Sequence, residues 1–190
     1  MEHSSLFFRA CGWLARILIS LLSRFELTGV ERIPRSGPVI LAANHLSNAD
    51  PIILASVLPR PSAFMAKQEL LRFPGMSTIV RMYGSFTVRR GAADREAIRQ
   101  ALAVLEGGRV LGLFPEGTRS RSGSLGEPRA GVGMLALRTG AAVVPIGIVG
   151  TDHVAPYKLL WRRPRVSVRV GEPILCEKIS GPLRGGAQEH

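Results

Sequence analysis

Apolar positions in this chain fall into two kinds of pattern that take turns from about residue 25 to residue 170. Short unbroken apolar runs bounded by Pro, Gly or charge predict buried strands at Pro38–Ala43, Ala63–Ala66, Val110–Phe114 and Ala141–Val149. Phe86/Val88 and Val166/Val168/Val170 alternate as strand residues do, and Phe25–Gly29 is a further short strand. Pro145 lies inside one of these runs and predicts an irregular stretch or a local edge there. Helical patterns lie between them. Ala92–Glu106 is the clearest: Ala93, Ala97, Ile98, Ala101, Leu102 and Leu105 share a face, Asp94 stands in the first turn and Gly107-Gly108 stop it. Pro51–Leu58, Met76–Met82 and Arg129–Arg138 read as shorter helices, the last closed by Gly140. Strand and helix alternating in this way predict a single α/β domain with a largely parallel mixed sheet flanked by helices.

Residues 5–24 stand apart from that alternation. At about 100° per residue, Ser5, Arg9, Arg16, Ser20, Ser23 and Arg24 fall on one side. Phe7, Phe8, Cys11, Leu14, Ile17, Leu18, Leu21 and Leu22 fall on the other, with Trp13 near the polar side. A broad apolar face opposite arginines predicts a helix lying in a membrane interface; the competing expectation is a helix that completes the core. Met1-Glu2-His3 offers no basic start and Arg16 interrupts the apolar stretch, so neither a secretion signal nor a spanning helix of roughly 18–20 apolar residues is expected. The predicted organisation is residues 1–24 as an amphipathic membrane-associated helix, 25–175 as the main domain and 176–190 as a C-terminal tail.

Composition narrows the function classes. The chain has 190 residues, enough for one domain with its own core, and 46% hydrophobic content excludes a disordered chain. Net charge is +11, carried almost wholly by arginine, with Lys67, Lys158 and Lys178 as the lysines. Such a surface favours anionic partners, and the arginine fork suits phosphate. Nucleic acid is a poor fit, because aromatic content is only 6% and no aromatic strand or basic recognition helix is present. Cys11 and Cys176 show no metal or redox spacing.

In a parallel α/β sheet, ligands bind beyond the carboxyl ends of the strands. The polar residues of this chain gather there. His45 and Asp50 follow one predicted strand, Lys67 and Glu69 a second, Arg89 and Arg90 a third, Glu116 to Arg121 a fourth, and Thr151, Asp152 and His153 a fifth. Asp50-Pro51 reads as an N-cap followed by Pro at the first helical position. His45 therefore sits in a strand-to-helix turn, and Asp50 at the helix mouth is placed to fold back onto the imidazole. A carboxylate there holds one ring nitrogen as N–H and leaves the other as a base. No serine stands beside the pair in a nucleophile elbow, which suggests that the substrate brings the hydroxyl.

Asn44-His45, four residues and Asp50 resemble the first motif of the glycerolipid acyltransferases of the 1-acylglycerol-3-phosphate type. Gly84-Ser85-Phe86-Thr87-Val88-Arg89-Arg90 is similar to the family's second block, whose closing arginine corresponds to Arg90. Phe114-Pro115-Glu116-Gly117-Thr118-Arg119-Ser120 matches the third block in full and is the most specific string. Val143-Val144-Pro145-Ile146 resembles the fourth. Lys67-Gln68-Glu69-Leu70 and Gly171-Glu172-Pro173-Ile174 also look familial, so the resemblance runs in order over about residues 25 to 175. Two departures stand out: Arg89 where an acid is frequent, and Arg129-Ala130-Gly131 where the family carries Lys-x-Gly.

The resemblance implies acyl transfer from acyl-CoA or acyl carrier protein to the sn-2 hydroxyl of a 1-acylglycerol-3-phosphate, giving phosphatidic acid. His45, oriented by Asp50, is then the general base. Arg90, the turn Glu116-Gly117-Thr118-Arg119 and Arg129 form the substrate-binding set, with arginine forks and turn N–H groups meeting phosphate oxygens. Glu116 accepts from a glycerol hydroxyl or fixes an arginine. No metal or resident cofactor is expected. The expected partners are membrane lipids at an anionic bilayer surface and the acyl carrier, not nucleic acid. The expected location is peripheral or monotopic on the cytoplasmic face of a membrane. Two other outcomes remain open at this stage: a different lysolipid or lipid hydroxyl as acceptor, and a hydrolase that delivers the acyl thioester to water.

Overall fold

The strand Val39–Ala43 (β2) lies at the middle of a seven-stranded sheet. The computed structural model describes residues 2–67, 85–88, 95–120, 122–153, 163–179 and 181. The other strands are β1 (Arg24–Thr28), β3 (Ser62–Lys67), β4 (Phe86–Val88), β5 (Val110–Leu113), β6 (Ala142–Val149) and β7 (Arg165–Val170). They lie in the order β1-β7-β6-β2-β5-β3-β4. From β6 to β4 every neighbouring pair is parallel, whereas β7 runs antiparallel to β6 and carries β1 parallel to itself. The five strands β2 to β6 consequently present their carboxyl ends at one edge, the edge on which the polar residues were expected to gather.

Four α-helices, α1 (Glu2–Leu22), α2 (Asp50–Val57), α3 (Arg95–Glu106) and α4 (Gly131–Thr139), and two short 3-10 turns, Val30–Arg32 and Thr151–His153, complete the described elements. The helices cover the sheet from both sides, which is why β2 is apolar throughout rather than alternating. Val39, Leu41 and Ala43 face Ile53, Leu54 and Leu58 at α2, with Ile19 of α1 packed against that core. Ile40 faces the other way, toward Ala97, Ala101 and Leu105 of α3 and Leu135 and Ala136 of α4. Observed ends differ from the expected ones by a residue or two. Ala92 to Asp94 and the helix expected at Met76–Met82 lie outside the described residues.

Pro145 shows how a proline fits inside an interior strand. On β6, Ala142 N–H donates toward β2, to Pro38 C=O, and Val143 N–H donates the other way, to Ile174 C=O. By alternation, the hydrogen that Pro145 lacks belongs on the β7 side. There the antiparallel ladder with β7 begins only at Ile146–Val170, and the bridge Val143–Ile174 is out of step with it by one residue. Pro145 occupies the break. Its carbonyl is still used, accepting from Gly171 N–H at 2.8 Å. Beyond that bridge the chain returns to α4, where Ile179 N–H donates to Leu137 C=O.

The expectation that α1 completes the core is met on one sector of the helix, and another sector is left exposed. The helix packs on α2. Gly12 lies at this contact, where a Cβ would meet Ser56 C=O at an ordinary van der Waals distance of 3.6 Å and anything larger would press on the α2 backbone. Ile19 faces the core, and Ser23, expected on the wet face, is buried with its hydroxyl donating to Ile19 C=O. Arg163 donates to Ser20 C=O and Ser23 C=O and so closes the helix C-terminus. Trp13, Leu14, Leu18 and Leu21 remain exposed, at 67%, 55%, 48% and 64%. Among the described residues, no helix is long and apolar enough to cross a membrane.

Candidate active site

β2 ends at Ala43, and the next side chain extends its ladder. Asn44 Nδ2 donates to Ile148 C=O at 2.9 Å, while Oδ1 accepts from Ile148 N–H at 2.6 Å. The carboxamide thus imitates one more strand residue pairing with β6, although the main chain has already turned away. The sequence left the chemistry of Asn44 unread; its role is to pin the start of the His45–Asp50 turn to the neighbouring strand.

His45 follows, buried and stacked on Phe114 at the end of β5, with ring centroids 4.1 Å apart and planes 22° apart. Its carbonyl accepts from Ser120 N–H at 2.8 Å, which ties this turn to the loop after β5. Nδ1 lies 2.8 Å from Asp50 Oδ2. The same oxygen accepts from Leu46 N–H and Ser47 N–H, both at 2.7 Å. An ionised carboxylate only accepts, so Nδ1 carries the proton and Nε2 is left with its lone pair.

Asp50 differs from the expected N-cap. Ala49 takes that position, Asp50 is the first helical residue, and no side chain caps the helix forward. The carboxylate turns back instead, into the loop that precedes it. Capping and holding the imidazole require the same acceptor atoms, and the backward geometry satisfies Leu46, Ser47 and His45 together. Asp50 is fully buried. Burial alone would raise its pKa, but the hydrogen bonds from His45, the Ser47 amide and the Leu46 amide, with the Thr151 hydroxyl close by, outweigh it and hold the group below the usual carboxylate range.

The loop after β5 folds back alongside. Gly117 N–H donates to Phe114 C=O, and Arg129 N–H donates to Pro115 C=O. Gly117 has φ 68°, a left-handed conformation, and a Cβ there would stand 3.0 Å from Arg129 Nε. Glycine takes this backbone conformation without strain and leaves room for the Arg129 guanidinium against the turn. The Glu116 carboxylate lies against Gly126, and no arginine pairs with it among the described residues. Thr118, Arg119 and Arg129 are exposed.

The structure therefore brings His45, Asp50, Phe114, Ser120 and Thr151 together and sets the Glu116–Arg119 turn and Arg129 on the adjoining loop. Arg89, Arg90, Glu69 and Arg121 lie outside the described residues, as does the side chain of Lys67. Sequence reasoning placed Asn44 in the first motif and Thr151 on the rim but assigned a partner to neither. The available signal for both was position: each is a polar residue at a strand's carboxyl end.

Comparison with known proteins agrees with the motifs. The sequence model of the family described as Acyltransferase matches residues 24–149. The chain is 33% identical to the 1-acyl-sn-glycerol-3-phosphate acyltransferase of Borreliella burgdorferi, over 79% of this chain and 60% of that protein. It is 35% identical to the lyso-ornithine lipid O-acyltransferase of Pseudomonas aeruginosa, over 72% of this chain and 51% of that one. The chain thus spans about half to three-fifths of the length of these relatives. Among solved structures, the 1-acyl-sn-glycerophosphate acyltransferase of Thermotoga maritima superposes with a TM-score of 0.77 at 28% identity, covering 92% of this chain and 71% of that one.

Proposed function

The chain belongs to the acyltransferase family, and we propose that it transfers an acyl group from a thioester, acyl-CoA or acyl carrier protein, to the sn-2 hydroxyl of a 1-acylglycerol-3-phosphate. The products are phosphatidic acid and the free thiol of the carrier. The observation that carries this reading is the His45 Nδ1–Asp50 Oδ2 hydrogen bond of 2.8 Å, which leaves Nε2 as a base with no serine or cysteine hydrogen-bonded to it among the described residues; Ser47, the serine of this turn, accepts from Ala49 N–H instead. The third motif on the adjoining loop and the named relatives supply the acceptor.

The reaction closes without a covalent enzyme intermediate. His45 Nε2 takes the proton of the acceptor hydroxyl as its oxygen attacks the thioester carbonyl carbon. The imidazolium so formed is stabilised by the Asp50 carboxylate beside Nδ1–H. The tetrahedral oxyanion then collapses, the C–S bond breaks, and the leaving thiolate recovers the proton from Nε2. Arg119, Arg129 and the Glu116–Arg119 turn bind the glycerol phosphate, joined by Arg90. Glu116, which has no arginine partner among the described residues, accepts from a glycerol hydroxyl. The exposed sector of α1 rests on the anionic cytoplasmic face of a membrane and brings the rim to its lipid substrates.

A second acceptor has specific support. The relative at 35% identity is named for a lyso-ornithine lipid, and the base chemistry is the same for any lipid hydroxyl. Mass spectrometry of products from a panel of lysolipids, offered with acyl-CoA and with acyl carrier protein donors, tests both readings. Phosphatidic acid as the main product is the expected result. Acylation confined to an amino-acid-derived lysolipid would reassign the acceptor, and release of free fatty acid alone would overturn acyl transfer.

A further inference from the structure

Asp50 Oδ2 accepts three hydrogen bonds, yet Oδ1 of the same fully buried carboxylate has no partner among the described residues. The Thr151 hydroxyl, equally buried, has none either. The two side chains lie close together, though not in hydrogen-bonding geometry, where the turn that follows β2 meets the end of β6. Thr151 opens the short 3-10 turn Thr151–His153 that directly follows β6 and Gly150. Gly150 has φ 86°, and a Cβ there would collide with Arg165 C=O on β7, so the chain turns at once and carries Thr151 inward. Asn44 holds the other side of this junction by its two bonds to Ile148, three residues before Thr151.

We propose that Thr151 is a positioning residue for the dyad: its hydroxyl donates to Asp50 Oδ1 and fixes the plane of the carboxylate against His45. The chemistry leaves one direction for this bond. Oδ1 can only accept, and a threonine hydroxyl rotates freely to donate. With Oδ2 alone engaged, the carboxylate is free to pivot about its Cβ–Cγ bond. With Oδ1 also engaged, Oδ2 stays in line with Nδ1–H, and Nε2 keeps a single direction toward the substrate hydroxyl. Proper orientation of the base by its buried partner is what keeps the correct tautomer in place. Thr151 touches no reacting atom. The proposal rests on reading His45 as the base.

The test uses Thr151→Val, which keeps the shape and removes the hydroxyl, and Thr151→Ser, which keeps the hydroxyl. Thr151→Ala repeats the deletion without a branched side chain, should Val fail to fold. Expected for Val or Ala is a fall in kcat of about tenfold, the scale of one hydrogen bond to a charged group, with both KM values within about twofold of the parent. Ser should recover kcat to within about twofold. The second readout is the low-field Nδ1–H proton of 15N-labelled His45 in the resting protein. It should be sharp in the parent and in Ser, and broadened or moved upfield in Val and Ala. An unchanged kcat and an unchanged resonance in Val would overturn the proposal, as would a Ser variant as impaired as Val. The resonance needs no substrate, so a wrong acceptor assignment leaves this arm intact.

Discussion

His45 and Asp50 were legible because the two residues that matter are five apart and joined by one turn. Local spacing was enough to expect the contact, and Nδ1 and Oδ2 are found at 2.8 Å. His45→Ala should lower kcat by about 10²–10⁴ while the melting temperature stays near the parent's; turnover within tenfold of the parent in a folded variant would remove His45 as the base. Asp50→Asn should approach the same loss, since the amide no longer fixes the proton on Nδ1. The same residue sets an acid limit on stability. Its native pKa lies below the usual carboxylate range, so its stabilising contribution is complete above that range. That contribution is lost as pH falls to and through the lowered native value. Melting temperatures measured from pH 7 to strong acid should show this decline in the parent and a flatter profile in Asp50→Asn; parallel profiles would mean that Asp50 is not held ionised by its partners. The partners of Asn44 and Thr151 were not legible, for a reason of distance along the chain. Asn44 bonds a residue 104 positions away, and nothing local in the sequence states that β6 lies beside β2.

At the scale of elements, alternating patterns located the strands and α3, because a sheet covered on both faces demands continuous apolar runs and an amphipathic helix demands a repeat. The patterns could not assign α1, whose apolar positions serve two neighbours at once. Gly12 and Ile19 face α2 and the core, whereas Trp13, Leu14, Leu18 and Leu21 face outward. Removing the whole helix would therefore uncover α2 as well as any lipid contact, and the two causes would be confounded. Point changes separate them. Gly12→Val should lower the melting temperature, because the closest neighbour of its added side chain is the backbone of Ser56. Leu14→Gln, Leu18→Gln and Leu21→Gln combined should leave the melting temperature unchanged and weaken vesicle binding. Each leucine is worth roughly 1.5–3 kcal/mol for complete transfer out of water, and about half of each side chain is exposed in the free protein. Vesicle flotation of the triple variant at parental levels would show that this sector is not the lipid contact.

At the scale of the whole molecule, charge and topology act together. The parallel order β6-β2-β5-β3-β4 sets the carboxyl ends of five strands along one edge, and Arg119 and Arg129 are exposed beside the dyad there. A net charge of +11 draws such a molecule to anionic surfaces. On the proposed membrane docking, the α1 sector would add an attraction of a different physical kind, because apolar insertion is little affected by ionic strength whereas arginine–headgroup attraction is screened within about 8–10 Å at physiological salt. The two are separable on vesicles of defined composition. Binding should be stronger on vesicles containing anionic lipid than on neutral ones, and raising salt toward 1 M should reduce it without abolishing it. The Leu14/Leu18/Leu21→Gln variant should retain the charge-driven part at low salt and detach entirely at high salt. If salt alone released the parent protein completely, the apolar sector would contribute nothing and the rim would reach lipid through charge only. If salt had no effect, the arginines would be occupied with substrate recognition and solvation rather than docking. Activity on bilayer-borne substrate, measured across the same salt series, should fall with the bound fraction, while activity on substrate dispersed in mild detergent should fall less.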